Sequence, residues 1–383
     1  MKYTHAVPLA LLLLAACTEQ GGTPPRNGAG ASTTPPTAEQ DSTIAATDTT
    51  NAPAAGPQIS QYIRRIFQDR DGNMWYGTTS DGVARYDPSA ALKAGGQPLV
   101  YYKAADGLSD WVSSIAQAGN GDMWFGTHDG VFRYDPSASL GAGSTRFTRY
   151  TNKDGLASDQ VWCVLLDRSG GLWAATEGGV SHFDPSTALS TGGNKFTSFP
   201  IPAADLSHFP YYENPKQINW ITEDKAGNIW FASNGGGAYK WDGKTLTNLS
   251  EKEGLCNNFV QTMLEDRAGN LWFGTRAGGL CKYDGTSFTA FGRKDLKGDN
   301  VFALYQDSGG IIWIGATAYG LCSYDGTRFV CNNEEDGAGI RVIMSILEVN
   351  GRLWFGTGAG LYRLEGDRFI NLTREDLLRR DVR

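Results

Sequence analysis

The sequence predicts an all-β protein, a seven-bladed β-propeller with four antiparallel strands per blade, and three observations carry that reading. A tryptophan recurs at Trp75, Trp124, Trp173, Trp230, Trp272, Trp313 and Trp354, at intervals of 49, 49, 57, 42, 41 and 41 residues. The same run of residues surrounds each copy. The clearest is Glu265-Asp266-Arg267-Ala268-Gly269-Asn270-Leu271-Trp272-Phe273-Gly274-Thr275, followed by Gly278-Gly279-Leu280 and Tyr283-Asp284-Gly285. Finally, every copy holds four short strand segments bounded by turn residues, which repeated radially is the pattern of propeller blades.

The elements of one blade follow in order. Strand A is the apolar run before the acidic turn, Val260 to Leu264 in the fifth copy. The Asp-x-x-Gly-Asn turn leads to strand B, Leu271 to Thr275, and a Gly-Gly turn leads to strand C, Leu280 to Tyr283. An Asp-Gly turn, a strong hairpin signal, leads to strand D near Phe288 to Phe291. No ten-residue helical stripe occurs, which excludes a helical solenoid, and β-helix repeats are shorter than these. The C-terminal run Glu375 to Val382 is a degenerate form of the loops Asp106 to Asp110 and Asp154 to Asp159. The chain thus stops where another strand A would begin, and Gln61 to Gln68 supplies that strand. Seven whole blades are expected to close head to tail, without the usual swapped strand and with no latch evident in the sequence.

Ahead of the repeats, residues 1–17 read as an export signal. Lys2 precedes an apolar run, and Leu14-Ala15-Ala16-Cys17 forms a lipobox that marks Cys17 for lipidation. A bare signal peptide is the rival reading. The run is too short to span a bilayer, and no later stretch approaches the roughly 20 apolar residues needed. Thr18 stands where an inner-membrane retention signal would place Asp, so the anchor is expected in the outer membrane, facing periplasm or exterior. Residues 18–57, rich in Thr, Ala, Pro and Gly, cannot bury enough surface to order themselves. They read as a tether reaching roughly 30–40 Å, and residues 58–383 as the propeller. A net charge of −7 argues against nucleic acid or an anionic membrane face as partner.

The Asp-x-x-Gly-Asn-Leu-Trp-Phe-Gly-Thr and Gly-Gly-Leu-x-x-Tyr-Asp pattern resembles the two-component regulator propeller repeat, over about residues 58–383. The resemblance implies the fold and a kinship with periplasmic sensor regions of hybrid histidine kinases, many tied to polysaccharide use, and with free-standing exported proteins. This chain carries no kinase module, so signalling in cis is not expected.

Periodicity separates scaffold from candidate site. A residue present once per blade at one strand position packs between blades, which assigns the seven Trp to the core. The turn acids Asp69, Asp167, Asp224, Asp266 and Asp307 read as turn-formers; they lack the alternating oxygen ligands of a calcium loop. Strand direction places the B–C turns and the D–A loops together on one face, here the top, and most variation among blades lies there. Two non-repeating rings occupy it. The residue after strand B runs Thr79, His128, Glu177, Asn234, Arg276, Thr317 and Gly358. The second residue of strand A runs Arg64, Ser113, Trp162, Asn219, Gln261, Phe302 and Met344.

Four tryptophans lie outside the repeat. Trp241 replaces the Tyr of its strand C and is scaffold, whereas Trp111, Trp162 and Trp220 cluster at the start of strand A in blades two to four. The enlarged loop before blade four adds His208, Phe209, Tyr211, Tyr212 and Glu213. Aromatic faces beside Glu177, Asn219 and Asn234 suit a sugar; inward packing of Trp162 and Trp220 between blades is the plainer alternative. The expected function is therefore non-catalytic binding of a small ligand or glycan, with protein–protein interaction as a second class that fold alone cannot separate. A third class is a lyase of the streptogramin B type, for which His128 and Glu177 are the acid–base candidates.

Of the six cysteines, Cys322 and Cys331 flank the Tyr-Asp-Gly turn of blade six and can face each other across that hairpin. Cys281 is the blade-five equivalent of Cys322, but Ala290 stands opposite it, which leaves Cys256 as an alternative partner. Cys163 lies in mid-strand and reads as a buried thiol. No Cys/His metal spacing occurs, and neither a cofactor nor a metal is expected.

Overall fold

Each Trp-centred repeat folds as one four-stranded antiparallel sheet in the order A-B-C-D, and there are seven. The structure is a computed structural model. It describes residues 57–383 apart from 94–95, 139–145, 185–194, 210–213, 297, 317–319, 332–341, 367 and 379–383. The lipobox with Cys17, the tether and the pair Tyr211 and Tyr212 lie outside the described residues. Among those residues no helix is long and apolar enough to cross a membrane.

In blade five the strands are Val260–Glu265, Leu271–Thr275, Leu280–Tyr283 and Phe288–Phe291. Strand A runs one residue beyond expectation because Glu265 still pairs with Leu271. The other A strands are Ile63–Gln68, Val112–Gln117, Val161–Leu166, Ile218–Glu223, Val301–Gln306 and Ile343–Val349. Each A strand touches the A strands of both neighbours, including first against last, so the seven ring a central channel.

Packing follows from that radial order. Strand B is buried at nearly every position because both its faces meet protein, while strand D is half-exposed at the rim. The repeated Trp fills the seam to the following blade: Trp75 packs with Val112 and Phe125, and Trp354 of blade seven with Ile63 and Ile66 of blade one. The turn aspartates do more than shape the turn. Each accepts the indole N–H of its own Trp, Asp69 from Trp75 at 2.8 Å, Asp167 from Trp173 at 2.7 Å, Asp224 from Trp230 at 2.8 Å, Asp266 from Trp272 at 2.9 Å and Asp307 from Trp313 at 2.7 Å. Blade two has Ala118 at this place and blade seven Val349. In blade seven the buried Nε1 of Trp354 has no protein partner.

The glycine of Phe-Gly-Thr answers a close approach of the next blade. A Cβ on Gly356 would lie 2.7 Å from the Ile63 carbonyl, and one on Gly77 would lie 2.9 Å from that of Val112. Tight seams of this kind leave no room for a side chain between adjoining inner strands.

The latch, unread in the sequence, is a repeat of the ordinary D–A loop broken once. In three such loops a Lys, Thr or Ser backbone N–H bonds the acid three residues on: Lys103 to Asp106, Thr151 to Asp154 and Ser250 to Glu253. A buried leucine follows each, namely Leu108, Leu156 and Leu255. The C-terminal segment repeats the device with Thr373, Asp376 and the fully buried Leu377. Instead of running on into another blade, it clasps the start of the propeller. Arg374 donates its backbone N–H to the Pro57 carbonyl at 2.9 Å and its Nε–H to the Gln58 carbonyl at 2.8 Å. Tyr101 of blade one adds a bond from its hydroxyl to the Ile59 carbonyl at 2.8 Å.

Two disulfides join Cys322 to Cys331 and Cys256 to Cys281, and Cys163 is a buried free thiol. Cys322 and Cys331 are direct cross-strand partners. The second bridge ties the loop before blade five to strand C of that blade.

Candidate functional site

A β-bulge at the top of every strand A builds the channel mouth. The register slips between the first and third residues in all seven blades. The extra residue is the second one: Arg64, Ser113, Trp162, Asn219, Gln261, Phe302 or Met344. A bulge sets two successive residues against one on the partner strand and re-aims their side chains. The ring read as variable is thus the bulge ring.

On blades one to three these residues form a continuous stack. The Arg64 guanidinium lies 4.9 Å from the ring centre of Trp111, and Trp111 stacks on His128 at 3.8 Å with 18° between planes. His128 in turn meets Trp162 edge-on at 5.1 Å. All four are half-buried. The buried Nε1 atoms of Trp111 and Trp162 and Nε2 of His128 have no protein hydrogen-bond partner among the described residues. Burial pushes the His128 pKa down to about 4, Arg64 adds to this and Asp129 opposes it. The imidazole is therefore neutral at neutral pH. Burial also lowers Arg64 to about 10, with Arg65 contributing repulsion.

One residue deeper, the channel is crossed by a pair from opposite sides. Arg65 of blade one extends to Trp220 of blade four, its guanidinium 4.4 Å from the ring centre. The equivalent positions elsewhere hold Ser114, Cys163, Thr262, Ala303 and Ser345, all buried. These small residues tie neighbouring A strands together. The Ser345 hydroxyl accepts from the Ile66 backbone N–H, that of Ser114 from Val164, and the Cys163 thiol donates to the Ile221 carbonyl. Burial pushes the Cys163 thiol up, so it is protonated. Burial likewise lowers Arg65, and no described carboxylate offsets it.

The remaining sequence candidates divide. Glu177 accepts from the Asn214 amide at 2.6 Å. Asn219 accepts from Gln217 and donates to the Val260 carbonyl of blade five at 2.7 Å, as Ser113 does to the Val161 carbonyl of blade three. Asn234 is buried and, like Glu177 and Arg276, uses its backbone N–H to bond the residue just before strand A of its own blade. Gln261 is half-buried at its bulge. The structure gives no hydrogen bond or ion pair between His128 and Glu177 among the described residues. Tyr211 and Tyr212 cannot be placed, but their neighbour Phe209 meets Phe259 edge-on at 4.9 Å.

One participant lay outside the sequence-derived candidates: Arg65, which follows the bulge residue, whereas Trp111, one residue ahead of strand A, is among the surplus tryptophans of the sequence. The dibasic Arg64-Arg65 inside an otherwise apolar repeat position was the available signal. Its meaning required the bulge, because strict alternation would send one of two adjacent side chains away from the channel.

The opposite face is stapled scaffold. The residue after the turn aspartate donates its backbone N–H to a side chain at the end of the next strand A: Arg70 to Gln117, Arg168 to Glu223, Lys225 to Glu265 and Arg267 to Gln306, each the last residue of its strand, and Ser308 to Glu348, the last but one. A groove there between blades one and two is lined by Asp69, Arg85, Gln117, Tyr134 and Arg146 among others. Within the described residues, no three His, Cys, Asp or Glu side chains are grouped to hold a metal ion.

Comparison with known proteins agrees with this architecture. No sequence among the curated proteins matches the chain. Solved structures similar to it include the extracellular domain of the hybrid two component system BT3049 from B. thetaiotaomicron. That pair has 18% identity and a TM-score of 0.60, covering 81% of this chain and 40% of the other. The extracellular domain of the one component system BT4673 from the same organism has 22% identity and a TM-score of 0.54, covering 81% and 41%. The chain thus spans about two fifths of the length of either domain. Streptogramin B lyase has 13% identity and a TM-score of 0.58, covering 82% and 95%. At these identities the likeness is one of fold. The two component regulator propeller family matches residues 57–80, 106–129, 155–178, 212–235, 254–277 and 295–318. Those six stretches span the A–B hairpins of blades one to six, and by these repeats the chain belongs to the two component regulator propeller family.

Proposed function

We propose that this protein is a lipid-anchored, non-catalytic binding propeller of the cell envelope, and that it takes a saccharide at the channel mouth of blades one to three. One observation carries the reading: the Arg64–Trp111–His128–Trp162 stack offers ring faces beside buried nitrogen atoms that no described group satisfies. An unpaired buried polar atom costs about 1–3 kcal/mol, and a ligand hydroxyl that pairs with it recovers much of that. Sugar rings present an apolar face to an indole and hydroxyls at its edge, which fits both features.

Kinship with extracellular sensor domains supports a role in envelope sensing, and the lipobox at Cys17 supports an anchor in the outer membrane. Binding is favoured over lyase chemistry because Glu177 is held by Asn214 and His128 by two indoles. A glycan array followed by thermal-shift measurement of the hits tests the proposal. Stabilisation by a glycan should vanish in Trp111→Ala and in Trp162→Ala. Its persistence in both variants would overturn the site.

A further inference from the structure

We infer that the saccharide bound at this mouth is an acidic one, whose carboxylate or sulfate lies against Arg64 and Arg65. The inference rests on the proposed saccharide site and specifies its ligand.

Arg64 and Arg65 are consecutive residues of one bulge, and their guanidiniums are close enough to repel each other. Both side chains are half-buried, and burial lowers the pKa of each guanidinium. Each lies over an indole, Arg64 on Trp111 and Arg65 on Trp220. No described carboxylate forms an ion pair with either, and the buried Nε of Arg65 has no hydrogen-bond partner.

Enclosing a cation without a counter-charge is strongly unfavourable, and two adjacent ones compound the effect. Indole faces offset part of this by cation–π attraction, yet they leave the N–H edges of the guanidiniums unused. An oxyanion accepts two parallel N–H bonds from such an edge. The arginines sit at the blade-one end of the same stack whose rings would carry the sugar, so one ligand can meet both. A neutral sugar would leave the pair of charges as they are.

The test uses the full chain and D-glucuronate, D-glucose 6-sulfate, D-glucose and inorganic sulfate as probes at matched ionic strength. Glucuronate or glucose 6-sulfate should raise the melting temperature more than glucose, and which of the two does so identifies the acidic group. Inorganic sulfate should act weakly, since it lacks the ring. Arg64→Gln should weaken the acidic sugar by about 10- to 100-fold, the usual loss of hydrogen bonds to a charged group. Arg65→Met should raise the melting temperature of the unliganded protein by removing an uncompensated charge.

Equal shifts with glucose and both acidic sugars would overturn the inference and leave the saccharide site standing. No shift with any of the three sugars would overturn both. A lower melting temperature for Arg65→Met would show that the charge is already compensated and would overturn the inference alone.

Discussion

The guanidinium of Arg65 in blade one lies 4.4 Å from the indole centre of Trp220 in blade four, so a single contact spans the central channel from opposite sides. The five other positions at that level carry Ser, Cys, Thr or Ala, too short to reach across. Above the plug lies the aromatic mouth, and Cys163 is buried in the core cluster against which Trp220 packs.

The plug makes a prediction that does not depend on any ligand. Trp220→Ala should lower stability by about 3 kcal/mol, as for loss of a large packed ring, and should expose Cys163. The rate of Cys163 modification by a thiol reagent under native conditions reports this. The same slow rate in wild type and variant would contradict the role of Trp220 as a plug.

The bond from indole to turn aspartate should be measurable blade by blade. Trp272→Phe removes a ring nitrogen that Asp266 holds at 2.9 Å, whereas Trp354→Phe removes one with no partner. In urea unfolding the blade-five variant should lose about 1–2 kcal/mol more than the blade-seven variant. Asp266→Ala should cost about as much as Trp272→Phe or more, because the Asn270 bonds go with it.

Ring closure depends on the C-terminal clasp. Leu377→Ala empties a fully buried site and should cost about 2–5 kcal/mol. Thr373→Ala, which removes a cap like those of the other D–A loops, should cost about 1 kcal/mol. Hydrogen exchange should report faster exchange in the first strand of blade one in both variants. Exchange that rises evenly in all blades would argue that the clasp is not local to this seam.

Acid should act in two windows. Burial, with help from Arg64 and against Asp129, depresses His128 from its ordinary 6.5 to about 4. Its neutral form is therefore favoured in the folded state. The corresponding stability is fully present above pH 6.5, declines as the pH falls toward about 4 and then levels off. Burial pushes the carboxyls of Asp167, Asp224 and Asp266 up, but the hydrogen bonds they accept, including the indole N–H bonds, outweigh it and leave them below their ordinary 3.8. Their contribution is present above 3.8 and is lost as the pH falls further. A pH series of melting temperatures should show both, and His128→Gln should shrink the upper window to the part contributed by His182, whose pKa burial also lowers.

Much of the fold was readable because its determinants are local and repeated seven times. Trp272 and Asp266 recur at one spacing, and no spacing except that of a blade explains them. The site was legible in part. Arg64, Trp162 and His128 stood out because they break the repeat, and the structure does bring them to one stack. Asn219 broke the repeat as well, yet both ends of its amide are engaged within the propeller, one of them by blade five. Variation marks freedom from one constraint and does not say which other constraint took its place.

The sequence by itself determined the class of fold, the number of blades, the face on which they differ and the pairing of Cys322 with its hairpin neighbour. Each of these depends on residues within one blade, where spacing alone dictates partners. Only the tertiary structure decided that Arg374 clasps Pro57 and Gln58, that Trp111 joins Arg64 to His128, and that Arg65 meets Trp220. Apart from the stack of Trp111 on His128, both of blade two, those contacts join residues of different blades, and their geometry depends on how far the ring of inner strands turns and on a bulge that redirects two side chains. Neither quantity is written in the identity of the residues that meet.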